Sequence, residues 1–271
     1  MDASSYIVDG VRSSLTCHPK LFTAVAASSL VFGVVVGYHV PNYQRWRAVG
    51  PGGVPHDLRG YLINLMLTPF SLDTKRLDFY DQPEWYAAGW SKATDQEKVA
   101  AQTSLLDKEL PEREGPHPNA IPFLLPQRQR TVNNPPPANI KSAYLKAFDD
   151  LGAKNSDFIE LRTSVLETRG KALFVKPETP LPILIEKCRG EICHIHTSDL
   201  SGHISLPFPD AKEVIEKGYG ERHGLSGTKL IPLAYTMLYE PKSIDEIEVF
   251  VRIFQAGIDY VKTGGTGSVK R

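Results

Sequence analysis

The residues from Glu191 to Gly227, EICHIHTSDLSGHISLPFPDAKEVIEKGYGERHGLSG, hold half of the chain's eight histidines within thirty positions. His194 and His196 are two apart, so on a strand both imidazoles leave the same face. SDLSG reads as a turn and HISL as the returning strand. A hairpin that closes about Asp199 and Leu200 sets His203 opposite His196, and three imidazoles then share one patch. PDAKEVIEKG reads as a short helix with Asp210 near its start and Gly218 as its left-handed stop. The loop YGERHG can return Glu221, Arg222 and His223 to the patch.

Two kinds of chemistry fit these residue types. Neutral imidazoles of His194 and His196, with His203 or His223 and a carboxylate from Glu191, Asp199 or Glu221, make an N/O ligand set suited to zinc, iron, manganese or copper. Without a metal, one histidine near its ordinary pKa takes a proton while Arg222 holds the anion produced. Spacing alone leaves both open. Cys193 adjoins His194 but points to the opposite face of a strand, which makes it a core residue rather than a nucleophile.

The scaffold around these residues is bounded by composition. A chain of 271 residues with 41% hydrophobic content can bury one good core, or a main domain with a smaller lobe. Its 31 basic and 31 acidic residues balance, which removes the electrostatic case for nucleic acid. Cys17, Cys188 and Cys193 form neither a CxxC pair nor an even disulfide framework and read as free thiols. Residues 21–40, LFTAVAASSLVFGVVVGYHV, carry no Lys, Arg, Asp or Glu over the length a helix needs to cross a bilayer. Lys20 stands at one end, and Tyr38, Tyr43, Arg45, Trp46 and Arg47 crowd the other as interfacial anchors do. The expectation is an uncleaved single-pass anchor behind an N-terminal tail of residues 1–20. Arg45, Arg47 and Arg59 outnumber Arg12 and Lys20, and no Asn-x-Ser/Thr sequon occurs. Both facts lean toward a cytosolic catalytic domain on the endoplasmic reticulum or another endomembrane.

Residues 41–137 read as a Pro-rich connection and helical lobe. YLINLMLTPF, 61–70, is a core helix or a membrane-skimming segment. Thr94 and Glu97 form a capping box for a helix through about Leu110, and Pro111 to Pro137 is an extended loop or lid. Residues 138–263 read as an α+β domain. It begins with a short amphipathic helix, NIKSAYLKAFDDLG, ended by Gly152. FIELRTSVLE and KALFVKP follow as a hairpin about a TRG turn, then LPILIEKC as a strand, the histidine hairpin, and IPLAYTMLYE as another strand. Ser243 and Glu246 cap a final helix whose Ile244, Ile247, Val251, Phe254, Ile258 and Val261 recur at helical spacing and should cover one face of the sheet. Residues 264–271 read as a flexible tail. The fold class is α+β, with an N-terminal single transmembrane helix followed by a mainly antiparallel sheet packed against helices.

NYQRWRAVGPGGVPHDLRGY, QRQRT at 127–131, RGKALFVKP and above all EICHIH…GH…KEVIEKGYGERHGLSG resemble the fungal luciferase family, and the resemblance takes in the N-terminal span. Its specific pieces are E-x-x-H-x-H and G-(Y/W)-G-(E/Q)-R-H-x-L-x-G. The turn TSDLSG is shorter than in luminous members and lacks their additional histidine, and Tyr219 stands where tryptophan is frequent. The resemblance implies a membrane-anchored, O2-dependent oxygenase with no cofactor beyond O2. Such an enzyme oxidises a hydroxylated pyrone of the 3-hydroxyhispidin type through a cyclic peroxide with loss of CO2, and luminous members emit light. A 3-hydroxypyrone enolate can give an electron to O2 directly, so the protein must supply a base, anion stabilisation and a dry pocket.

On that reading His196 or His223 is the base, His194 and Glu191 orient it, and Arg222 stabilises the anion. Arg128, Arg130 and Lys171 are further cations for the substrate, Tyr219 donates to one of its oxygens, and His203 contacts it. The implied partners are a small-molecule enol or pyrone, O2, and the lipid bilayer through residues 21–40, with no nucleic acid. One alternative is a metal-dependent enzyme in which His194, His196, His203 and His223 ligate a divalent transition metal and Glu221 is catalytic. Another is a non-catalytic, membrane-tethered small-molecule-binding protein.

Overall fold

The computed structural model describes residues 18–167 and 169–264. Arg12, Cys17, most of the expected N-terminal tail and all but the first residue of the expected C-terminal tail lie outside the described residues. Chain contacts divide the protein into Met1–Trp46 and Arg47–Arg271.

Helix α1 (Pro19–Val49) is continuous over 31 residues. It contains the apolar run 21–40 and continues beyond Pro41 into residues read as irregular connection. Proline inside a helix removes one hydrogen bond and kinks or bends it, but the turns on either side can hold. Leu30, Val31, Phe32 and Val34 are exposed, and the helix is long and apolar enough to cross a membrane.

The second unit is built on a six-stranded antiparallel sheet. Its strands are β1 (Ile159–Thr163), β2 (Lys171–Val175), β3 (Glu191–Ile195), β4 (Gly202–Ser205), β5 (Gly220–Arg222) and β6 (Tyr235–Leu238), in the spatial order β1-β2-β3-β4-β6-β5. Its helices are α2 (Leu58–Leu67), α3 (Pro83–Tyr86), α4 (Asp95–Gln102), α5 (Ala138–Lys154), α6 (Phe208–Glu216) and α7 (Glu246–Gly264). α7 carries most of the expected apolar stripe: Ile247, Phe254, Ile258 and Val261 are buried, joined by Phe250, each contributing about 1.5–3 kcal/mol, while Val251 is half-buried and Ile244 is exposed and precedes the helix. Phe254 meets Tyr144 and Phe148 of α5, and Gly257 lies so close to β4 that a Cβ there would overlap Ile204. Phe79, Ala100 and Leu110 join the same core as the sheet. The segment before residue 137 and the domain after it therefore share one interior.

Several elements differ from the sequence expectation. The Thr94–Glu97 capping box is present, but α4 stops at Gln102 because the backbone N–H groups of Leu105 and Leu110 donate to Asp210 and Glu213 of α6 instead of continuing a helical ladder. α5 runs past Gly152 to Lys154. LPILIEKC is a 3-10 helix, Ile183–Cys188, rather than a strand: Pro182 precedes it and the Glu97 carboxylate takes the Ile183 N–H at 2.7 Å. YGERHG contributes the short strand β5, and Gly218 has the left-handed φ of +82° expected of a helix stop. The histidine hairpin pairs His194, not His196, with His203. Its turn closes as Leu200 N–H donates to His196 O while Leu200 takes φ of 60°.

Candidate active site

Period-two alternation sorts β3 into two faces. Cys193 pairs with Ile204 on the side of α7, so His194 and His196 leave the opposite side together with His203 of β4. The hairpin slip is by two residues, and an even slip leaves every side chain on its expected face. The three imidazole rings form a triangle with centroids 4.7 Å apart (His194–His196), 4.6 Å (His196–His203) and 5.3 Å (His194–His203). Glu167, from the loop joining β1 to β2, completes the group. One ligating atom from each of Glu167, His194, His196 and His203 lies within 4.8 Å of the others, and all four residues are buried.

Hydrogen bonding decides which nitrogens face inward. Ser201 Oγ donates to Asp199, so it accepts from His196 Nδ1 at 2.8 Å, and His196 Nε2 is left as a lone pair. Arg128 Nη1 donates to that nitrogen at 3.2 Å. His194 Nδ1 stands 2.5 Å from Glu191 Oε1 in an ion-pair contact, and both of its ring nitrogens are buried with no hydrogen-bond partner. Glu191 is itself fixed by Ser164 Oγ at 3.0 Å and Val165 N–H at 2.9 Å. Burial lowers the His196 imidazole to about 4, with the Arg128 guanidinium pushing the same way, and burial holds His203 well below the ordinary histidine range. Burial opposes ionisation of Glu167, but His196 and Arg128 beside it together outweigh burial and keep the carboxyl well below the ordinary range.

The remaining expected residues are distributed as follows. His223 stands beside the triangle, 5.8 Å from His203 by ring centroids, but both its nitrogens are committed. Nδ1 accepts from Leu225 N–H at 3.1 Å and Nε2 donates to Leu124 O at 3.1 Å, so the ring has no lone pair for a base or ligand role. Arg222 is not brought to the histidines: it pairs with Thr236 on the other face of the sheet, its guanidinium lies over Phe79, and it donates to Asp73 O and Ser226 O. Glu221 accepts from Gln127 Nε2 and Tyr239 OH, each at 2.9 Å, and burial pushes its carboxyl up. Tyr219 packs against Phe250 of α7, away from the triangle. Arg130 binds Glu240, and Lys171 is an exposed partner of Asp149. Among the expected cations Arg128 alone reaches the cluster, donating to Glu167 Oε1 at 2.9 Å. Cys193 is a buried core thiol pushed well up by burial.

A cavity of about 140 Å³ opens on this group, lined by Leu125, Leu166, Glu167, Lys187, His203 and Tyr235 among others. Tyr235 stacks on His203 with centroids 4.9 Å apart. Glu167 and Lys187 were not foreseen from the sequence. Glu167 sits in an ordinary hairpin connection, and its one signal is that β2 adjoins β3, which carries the histidines. Gly52 was also missed: a Cβ there would overlap both Glu167 and Arg128, so the GPGG segment lies directly over their ion pair.

Fold and site together define an antiparallel α+β protein whose sheet carries a buried histidine–carboxylate centre beside a small cavity. The luciferase-domain family model matches residues 189–257, the stretch holding β3 to α7. A luciferase of Neonothopanus nambi is 30% identical over 260 residues, which cover 90% of this chain and 88% of the relative. One of Armillaria mellea is 30% identical over 275 residues, 95% and 92% of the two chains, and one of Armillaria ostoyae is 29% identical over 263 residues, 92% and 91%. No solved structure matches the chain. The protein belongs to the fungal luciferase family.

Proposed function

We propose that the protein is a membrane-anchored oxygenase that oxidises a 3-hydroxypyrone enol of the 3-hydroxyhispidin type with O2, consuming one O2 and releasing one CO2 per substrate. Family membership supplies the class of reaction. The observation that carries the site is that Glu167 and His203 belong both to the histidine–carboxylate cluster and to the wall of the cavity. The cavity is a fraction of the roughly 300–1,000 Å³ of a pocket that encloses a drug-sized ligand. A styrylpyrone therefore presents only its pyrone ring there. Leu125, Leu166 and Tyr235 exclude water around that ring, the cluster removes the enol proton, and Lys187 at the cavity wall balances the enolate charge. The enolate passes an electron to O2, the pair recombines as a peroxide, and CO2 leaves as the ring opens. Helix α1 holds the enzyme at the membrane into which such an apolar aromatic substrate partitions.

The test is simultaneous O2 uptake and photon counting on detergent-solubilised full-length protein given 3-hydroxyhispidin. Uptake matched by CO2 release is expected, falling at least ~100-fold in His203→Ala and showing a lowered kcat in Lys187→Ala, because the charge that Lys187 balances appears only once the enol is ionised. Folded protein that consumes no O2 with this substrate would sink the pyrone reading.

A further inference from the structure

We infer that Glu167, His194, His196 and His203 bind one divalent first-row transition-metal ion, with Glu191 and Asp199 as the carboxylates that set the ligating nitrogens. This names the cofactor of the site proposed above. It rests on that reading for what the ion does to a substrate, but not for whether the ion binds.

Two features converge on it. The first is geometry: four donors about 2.1 Å from one tetrahedral ion stand about 3.4 Å apart, and the four ligating atoms already lie within 4.8 Å of one another. The group closes by about an ångström or a little more on binding. The second is orientation. Metal-ligating histidines typically give their other N–H to a carboxylate or another acceptor, which turns the remaining lone pair toward the ion. His196 reaches Asp199 through Ser201, so that ring is held in this tautomer with Nε2 turned to the cluster, where Arg128 Nη1 now donates to it. Both nitrogens of His194, 2.5 Å from Glu191 through Nδ1, and Nδ1 of His203 are buried with no hydrogen-bond partner.

Three imidazoles and one carboxylate suit zinc, iron, nickel, cobalt or manganese rather than calcium or magnesium, which take oxygen ligands. His223 stays outside the ligand set because both its nitrogens are already hydrogen-bonded. Such an ion would take the lone pairs of the cluster and, as a Lewis acid at the cavity floor, would supply the enol ionisation assigned above to the cluster itself.

Untagged full-length protein in detergent, stripped with a chelator and dialysed against Mn(II), Co(II), Ni(II) or Zn(II) in turn, tests this by metal content per chain and, for Co(II), by visible absorption. One ion per chain is expected, lost in His203→Ala and in Glu167→Gln and kept in His223→Gln. Glu191→Gln should weaken binding by about 10–100-fold. Thermal unfolding of each variant separates loss of metal from loss of fold, and the wild-type stoichiometry stands even if a variant does not fold. Stripped wild-type protein that unfolds cooperatively yet takes up none of these ions overturns the inference. So does an ion retained at full affinity by a folded Glu167→Gln/His203→Ala double variant. None of these readouts uses a pyrone, so failure of the substrate reading and failure of the metal site are told apart.

Discussion

An imidazole can move a proton or hold a metal only through a nitrogen that is not already engaged. By that criterion the four clustered histidines of the sequence are not equivalent. His194 has both nitrogens without a hydrogen-bond partner and His196 has Nε2 against the Arg128 side chain alone, whereas His223 spends both nitrogens on backbone, Nε2 on Leu124 O and Nδ1 on Leu225 N–H. His223 ties the loop carrying Leu124 and Leu125 to the turn after β5, and Leu125 is part of the cavity wall. Its role is to position that wall. His223→Ala leaves a buried carbonyl and a buried N–H without partners, which costs about 1–3 kcal/mol for each unsatisfied group. A urea midpoint lowered by that order is expected, with metal content unchanged in the fraction that remains folded. The arginines divide in the same way. Arg222 looked the better anion partner by its place beside His223, but strand alternation turns it through the sheet to Phe79, and Arg128, from the Pro-rich loop, stands at the cluster instead.

At the scale of elements, the distance between α7 and β4 sets where His203 stands. Gly257 is the contact point, where an added Cβ would overlap Ile204 and approach Ser205 O. Gly257→Ala must push β4 away from α7 or distort it, and overpacking of this kind costs about 1–3 kcal/mol. His203 adjoins Ile204 on the strand, so the same shift opens the cluster. The variant should show a lowered Tm together with weakened metal binding, and a lowered Tm with unchanged affinity would place β4 under less constraint than this contact implies. Much of this arrangement was legible in the sequence. The spacing of HIH and GH gave the two strands, and although the turn closes two residues from the expected register, the period-two face of each histidine survives. Most of the α7 stripe and the Thr94–Glu97 capping box were equally plain, whereas the Ser243–Glu246 box forms only by half, because the Glu246 carboxylate turns to Lys242 N–H and Arg113. LPILIEKC was not, because its apolar run fits a strand or a turn of helix, and a tertiary hydrogen bond from Ile183 to Glu97 decides between them. Glu167 and Gly52 were illegible for a related reason: each sits in a connection, and its importance depends on which distant segment it meets.

For the whole molecule, the 31 basic and 31 acidic residues balance, and the proposal of a membrane anchor rests on α1. Its twenty-residue run without a charge would expose Leu30, Val31, Phe32 and Val34 to water if it stayed outside a bilayer. Crossing the hydrocarbon removes that apolar surface from water while the helix satisfies its own backbone hydrogen bonds. Lys20 and the group of Tyr43, Arg45 and Arg47 bracket the run with residues that favour the two interfaces, whereas Trp46, expected among them, is fully buried. Wild-type protein should therefore remain in the membrane pellet after alkaline carbonate extraction. An arginine near the middle of a spanning helix costs about 2.5–3.5 kcal/mol, so Leu30→Arg combined with Val34→Arg should release the chain to the supernatant while leaving the histidine cluster intact, checked by Co(II) absorption of the released protein. If carbonate strips the wild type as readily as the double variant, α1 does not span, and access of an apolar substrate to the cavity has to be explained without the bilayer.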